Sequence, residues 1–189
     1  MPDASATTPS IGARLRTLRR AQGLSLDRTA QRTGISKAML GQIERGESSP
    51  TIATLWKIAT GLDMALSHFL ADDQNERPRS SVHRQNAFDW HADRAGMKTR
   101  TLFPFDARLG FEMFAVEFEP GAVSTSSAHA AGTTEQIVVL DGELIVETGA
   151  ARYVLRPGDT LQFAADRPHT YRNTGTRTVR AHDLIHYAS

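Results

Sequence analysis

The chain contains no cysteine. That excludes disulfide staples and any metal site built on thiolates. It contains no run of eighteen apolar residues, which excludes a hydrophobic membrane-spanning helix of ordinary length. A basic-then-apolar leader is also missing from its start, so the expected setting is soluble and cytoplasmic, with no membrane partner. Aromatic residues make up only 7%, and no internal repeat is visible. Large net charge is absent too, since the 189 residues sum to +1. That small total hides an asymmetry. Residues 1–71 carry nine Lys/Arg against five Asp/Glu, a net of +4, and residues 72–189 carry thirteen against sixteen, a net of −3. A basic head on an acidic body implies that only the head meets a polyanion.

The hydrophobic period changes once along the chain. Residues 1–10, "MPDASATTPS", have no periodicity and are expected to be a disordered tail. From Ile11 to about residue 70, apolar residues recur at helical spacing: Ile11, Leu15 and Leu18, then Leu26 and Ala30, then Ile35, Leu40 and Ile43, then Ile52, Leu55, Ile58 and Ala59. Gly23, Gly34, Gly46 and Gly61 punctuate them, and Ser25 and Ser36 are placed to cap helix starts. Five short helices are expected. Residues 71–84, "ADDQNERPRSSVHR", have linker composition. Beyond about residue 85 the period becomes two, in short runs broken at Pro120-Gly121, Asp141-Gly142 and Pro157-Gly158. That pattern predicts a sandwich or barrel, and Asp141-Gly142 predicts a hairpin.

The segment "TGISKAMLGQIERG" shows what the head is built for. Ile35, Leu40 and Ile43 form its apolar side. Lys37, Ala38, Gly41, Gln42 and Arg45 form the other. Glycine beside alanine on a solvent face costs helix stability of about 1 kcal/mol. A bare strip between Lys, Gln and Arg suits close approach to a surface of acceptor edges and negative charge.

Around this segment, "LSLDRTAQRTGISKAMLGQIERGESSPTIATLWKIATGL" resembles the phage-repressor (Cro-like, XRE) helix-turn-helix family, over about residues 11–70. The small Ala30, the turn Gly34, the capping Ser36 and Glu44-Arg45-Gly46 carry the resemblance. It implies that the second helix of the motif enters the DNA major groove. Ser36 and Lys37 would stand at the groove entrance, Gln42 deeper in, and Ala38 close to a thymine methyl. Arg45, Ser49 and Thr51 would lie near phosphates. Arg19 and Glu44 would pair inside the domain, and Arg14 could be a phosphate contact or ordinary surface. One such module buries too little to bind tightly, so dimerisation on a nearly palindromic site is expected.

The segment Gly121–Asn173 resembles the cupin family of small β-barrels, through Glu135 and Gly142 in "EQIVVLDG" and Gly158, His169 and Asn173 in "GDTLQFAADRPHTYRN". The expected architecture is thus a two-domain α plus all-β chain. It has a tail 1–10, a five-helix helix-turn-helix bundle at 11–70, a linker 71–84, and a cupin barrel (double-stranded β-helix) at 85–189. The resemblance implies a ligand set of His129, Glu135 and His169, with Tyr171 on the face of His169. If 127–131 is a strand, His129 points inward in either register of the motif. This set suits a divalent metal such as Fe, Mn, Ni or Zn. Alternatively, no metal binds and the same groups hold an organic ligand. Met113, Val139 and Phe163 would supply walls. Arg180 and His182 share a parity on the last strand, and His182 is carried as a ligand-lining residue. Isolated His68, His83 and His91 are read as surface. The function implied is a ligand-responsive regulator, a repressor by class, dimerised through the cupin half and not an enzyme. The alternative is a metal-dependent cupin oxygenase or isomerase carrying a DNA-binding head.

Overall fold

A computed structural model describes residues 10–70, 82 and 90–188. The expected tail, apart from Ser10, the expected linker, apart from Val82, and His83 lie outside the described residues. Five helices come first: α1 (Ile11–Ala21), α2 (Leu26–Thr33), α3 (Lys37–Glu44), α4 (Ile52–Gly61) and α5 (Ser67–Leu70). Four start on hydroxyl caps: Ser25 and Ser36 as expected, and Ser10 and Thr51 beside them. Ser10, Ser25, Ser36 and Thr51 accept from the backbone N–H three residues on. Gly34 closes α2 in the left-handed region at φ 68°. The fifth helix is a single turn.

The apolar stripes meet in one core. Leu15, Leu40, Ile43, Leu55 and Ile58 are all essentially inaccessible to solvent. Two glycines let the helices approach closely. A Cβ on Gly12 would lie 2.0 Å from the Ile43 carbonyl oxygen, and one on Gly61 would lie 2.7 Å from the Thr33 methyl. As the resemblance implied, Arg19 and Glu44 pair: Nε donates to Oε1 at 2.5 Å and Nη2 to Oε2 at 2.9 Å. The third guanidinium nitrogen donates to the Leu24 carbonyl at 2.6 Å. Arg14 is buried as well.

Ten strands follow: β1 (His91–Ala92), β2 (Met97–Asp106), β3 (Phe111–Phe118), β4 (Val123–Ser126), β5 (Thr134–Asp141), β6 (Leu144–Thr148), β7 (Ala151–Leu155), β8 (Thr160–Ala164), β9 (His169–Arg172) and β10 (Val179–His186). They form a six-stranded sheet, ordered β1-β2-β3-β10-β5-β8, and a four-stranded sheet, ordered β4-β9-β6-β7. This corrects the closed barrel expected from the resemblance: the inner faces pack together, but hydrogen bonding does not run continuously round them. The hairpin expected at Asp141-Gly142 is corrected too. β5 and β6 belong to different sheets, so this turn carries the chain from one sheet to the other. Gly142 is needed there, at φ 81°, because a Cβ would lie 2.8 Å from the Val179 side chain. The true two-residue hairpin is Gly149-Ala150, joining Thr148 to its partner Ala151.

The helical and sheet halves are docked. Glu112 on β3 is fully buried and caps α5, accepting from Leu66 N–H at 3.0 Å and Ser67 N–H at 2.8 Å. Tyr187 donates to the same carboxylate. Phe105 N–H donates to Ser67 Oγ at 2.9 Å, and Ile52 N–H to Asp93 Oδ2 at 3.2 Å. Apolar residues of both halves form one contiguous buried cluster.

Candidate DNA interface and ligand site

Helix α3 stands on Leu40 and Ile43, which leaves Ser36, Lys37, Ala38, Met39 and Gln42 exposed along one side. Ser36 is the cap, accepting from Met39 N–H at 3.2 Å. Lys37 Nζ lies 2.9 Å from Asp27 Oδ2, and Arg45 forks onto Glu47 at 2.7 Å. Both pairs are exposed, so exchanging either carboxylate for a phosphate costs little. Gly41 differs from its expected place on the bare strip. It is buried, with the Arg45 guanidinium 3.0 Å from where its Cβ would stand. Ser49 is exposed. Thr51 is half-buried with its hydroxyl spent on the cap, and the Asp93 carboxylate occupies the start of α4 where a phosphate was expected.

The second cluster lies between the two sheets. Alternation puts Glu135 of β5 and His169 and Tyr171 of β9 on inner faces. His129 arrives differently from the expectation. β4 ends at Ser126, and His129 sits in the following loop, pinned by its N–H on the Ala165 carbonyl at 3.0 Å. The loop's Gly132, at φ 79°, donates to Asp166 Oδ2 at 3.2 Å. His129 Nε2 lies 2.7 Å from Glu135 Oε1, and His169 Nε2 lies 3.5 Å from the same oxygen. Tyr171 O–H donates to Glu135 Oε2.

Burial by itself would push the Glu135 carboxyl up, but the His129 hydrogen bond and the charges of both histidines hold it below its ordinary value. Burial, with Glu135 beside it, pushes the Tyr171 phenol well up, so it stays a donor. His169 Nδ1 bonds the Arg167 carbonyl at 2.9 Å, which orients the ring with Nε2 facing inward, the nitrogen that would ligate a metal on losing its proton. That buried Nε2, 3.5 Å from Glu135, has no hydrogen-bond partner among the described residues.

His129, Glu135 and His169 offer ligand atoms within 4.8 Å of one another, all buried. Two imidazoles and a carboxylate with an orphaned inward nitrogen fit a divalent first-row metal. Such an ion would supply Lewis acidity and an open position for an oxygen or nitrogen donor. The residues themselves fix the imidazole tautomer, hold Glu135 charged and keep bulk water out.

The interior differs from expectation at three further places. His182 faces outward: odd-numbered residues of β10 are buried and His182 is half-exposed, so its neighbour Asp183 takes the inward position. Met113 is likewise on the outer face, whereas Val139 and Phe163 are inside. The Asp183 side chain carries a buried Oδ1 with no hydrogen-bond partner among the described residues. Burial first, then the charges of Glu135 and Glu112, push its carboxyl well up. No motif marks Asp183; knowing the phase of β10 would have found it. Nor does any motif mark Trp56 of α4, whose ring centroid lies 3.9 Å from that of His129.

Residues 15–69 match a family model described as helix-turn-helix, and residues 114–185 one described as cupin domain. The HTH-type transcriptional regulator SutR of Escherichia coli K12 is 45% identical over 177 residues, covering 94% of each chain. The chain belongs to the HTH-type transcriptional regulators. PuuR, another such regulator of the same organism, is 26% identical over 176 residues, covering 90% of this chain and 93% of its own. A solved HTH_3 family transcriptional regulator from Vibrio cholerae superposes on this regulator with TM-score 0.80 at 42% identity, over 95% of this chain and 96% of that one. No described helix is long and apolar enough to cross a membrane.

Proposed function

We propose that this regulator binds a nearly palindromic duplex as a dimer joined through its cupin half, and that a small metabolite or divalent metal inside that half alters the binding. In this reading residues 11–70 are the DNA-binding domain, 85–189 the sensing domain and 71–84 the linker, and its place of action is the cytoplasm. α3 reads the groove with Ser36, Lys37, Ala38 and Gln42, while Arg45 and Ser49 hold phosphates. Repression is the outcome that its class implies. The observation that carries the reading is one polypeptide holding both an exposed recognition face on α3 and a buried His129–Glu135–His169 group whose inward His169 nitrogen has no hydrogen-bond partner among the described residues.

In vitro selection of random duplex with the full-length protein tests it. An enriched, two-fold symmetric site bound by two copies is the expected result. Affinity should fall with salt at a log–log slope of about −0.9 per phosphate neutralised. Enrichment of nothing beyond composition would defeat the reading. The same buried group favours a second reading, a metal-dependent enzyme carrying a DNA-binding head. Elemental analysis of protein purified without chelator discriminates, because absence of stoichiometric Fe, Mn, Ni or Zn removes most of the enzyme case.

A further inference from the structure

We infer that Trp56 of the DNA-binding half is a positioning residue of the ligand site, and that movement of His129 reaches the recognition helix through it. The inference rests on the reading of the His129–Glu135–His169 group as the sensing site and adds the route by which it acts. Trp56 is 6% exposed and His129 5%. Their rings are 3.9 Å apart between centroids and inclined by 32°, so the indole covers one face of the imidazole. At its Nε2 edge His129 meets Glu135 Oε1 at 2.7 Å, and the His169 ring lies 5.1 Å away at 74° to it. A metal that takes Nε2 of His129 must displace its proton and so part the His129–Glu135 pair. The imidazole then has to turn or slide. Its own backbone is pinned to Ala165, and the indole lies directly against the ring.

The far side of the route is equally tight. Trp56 projects from α4, and α4 is locked to α2 where Gly61 leaves no room for a Cβ against Thr33. α2 and α3 are the two helices of the DNA-binding motif. Close-packed interfaces of this kind shift as units rather than deform. A displacement at His129 therefore moves α4 and α2 together and re-aims α3. Nothing in the sequence joins Trp56 to His129, and only the docking of the two halves brings them together.

The chain has two tryptophans, so Trp90→Phe leaves Trp56 as the sole indole. In that background Zn(II) is the probe. Its uptake is measured by equilibrium dialysis, with Glu135→Gln as the control for stray histidine binding. Trp56 emission and affinity for the selected duplex are read in parallel. One Zn(II) per chain should shift the emission and change duplex affinity by at least about 5-fold. Trp56→Leu should still take up one Zn(II) and lose most of that ratio, and Trp56→Phe, which keeps a ring, should retain part of it. Zn(II) uptake with unchanged emission, or a Trp56→Leu ratio equal to the parent's, overturns the inference. Should the parent take up no Zn(II), the metal reading fails by itself. The Trp56 route is then decided by His129→Ala, which must change both the emission and the duplex affinity, and is overturned if either stays unchanged.

Discussion

At the residue scale, side-chain alternation carries most of what the sequence reveals about the ligand site, and its phase decides what the sequence hides. Glu135, His169 and Tyr171 could be read because motif spacing set the phase of β5 and β9. β10 has no such motif, so the same alternation allowed either His182 or Asp183 inside. The structure chooses Asp183. This has a measurable consequence. The ordinary value for that carboxyl is 3.8, and the fold holds it well above. Above about pH 4 the unfolded chain gives up this proton and the folded chain keeps it. Stability varies with pH as protons bound unfolded minus protons bound folded. That difference is negative here, so stability falls as pH rises from about 4 toward the folded-state value. Asp183→Asn preserves the shape and cannot ionise. Its melting temperature should match the wild type near pH 4 and exceed it at pH 8. A wild-type advantage at pH 8 would mean that the carboxylate is ionised and partnered.

Among the elements, the helices were legible because each one carries its own start, stop and stripe. The strands were less so. β4, "VSTS", is too polar and short to announce itself, and β2, "MKTRTLFPFD", mixes Thr with a proline. The Asp-Gly turn between β5 and β6 has hairpin chemistry, yet those strands leave in different sheets: β5 lies between β10 and β8, and β6 between β9 and β7. α3 shows how much an element's position depends on what lies beneath it. Gly12 gives α1 its close approach to the end of α3, so Gly12→Ala must force the helices apart and should cost about 1–3 kcal/mol in urea unfolding. Glu44→Ala removes two charge-assisted hydrogen bonds from the largely covered Arg19 and should cost about 1–3 kcal/mol, whereas exposed Lys37→Ala should change stability by less than about 0.5 kcal/mol. The DNA readout inverts this order. Lys37→Ala and Gln42→Ala should each weaken the selected site by about 1–3 kcal/mol more than random duplex. Equal loss on both duplexes would show that these side chains touch phosphate only.

For the whole molecule, the charge asymmetry and the change of period made two halves visible, but they suggested beads on a tether. The structure instead docks α4 and α5 onto the sheets with a shared core. The signal for this was present in the sequence without being readable. Glu112 looks like an ordinary outward glutamate in "FEMFAVEF", yet its carboxylate holds the start of α5 and the Tyr187 hydroxyl at once. Removing it would strand two backbone donors and a phenol in a dry interface, at about 1–3 kcal/mol for each unsatisfied group. The joint between the halves should therefore fail before either half does. Wild-type protein is expected to unfold in one calorimetric transition, since no boundary in the core separates the halves. Glu112→Ala should split it into two, one for the helices and one for the sheets. It should also blunt any effect of ligand on duplex affinity, because a helix no longer seated on the sheets cannot follow His129. Two transitions in the wild type, or a single unshifted one in Glu112→Ala, would show that the halves melt without regard to this joint.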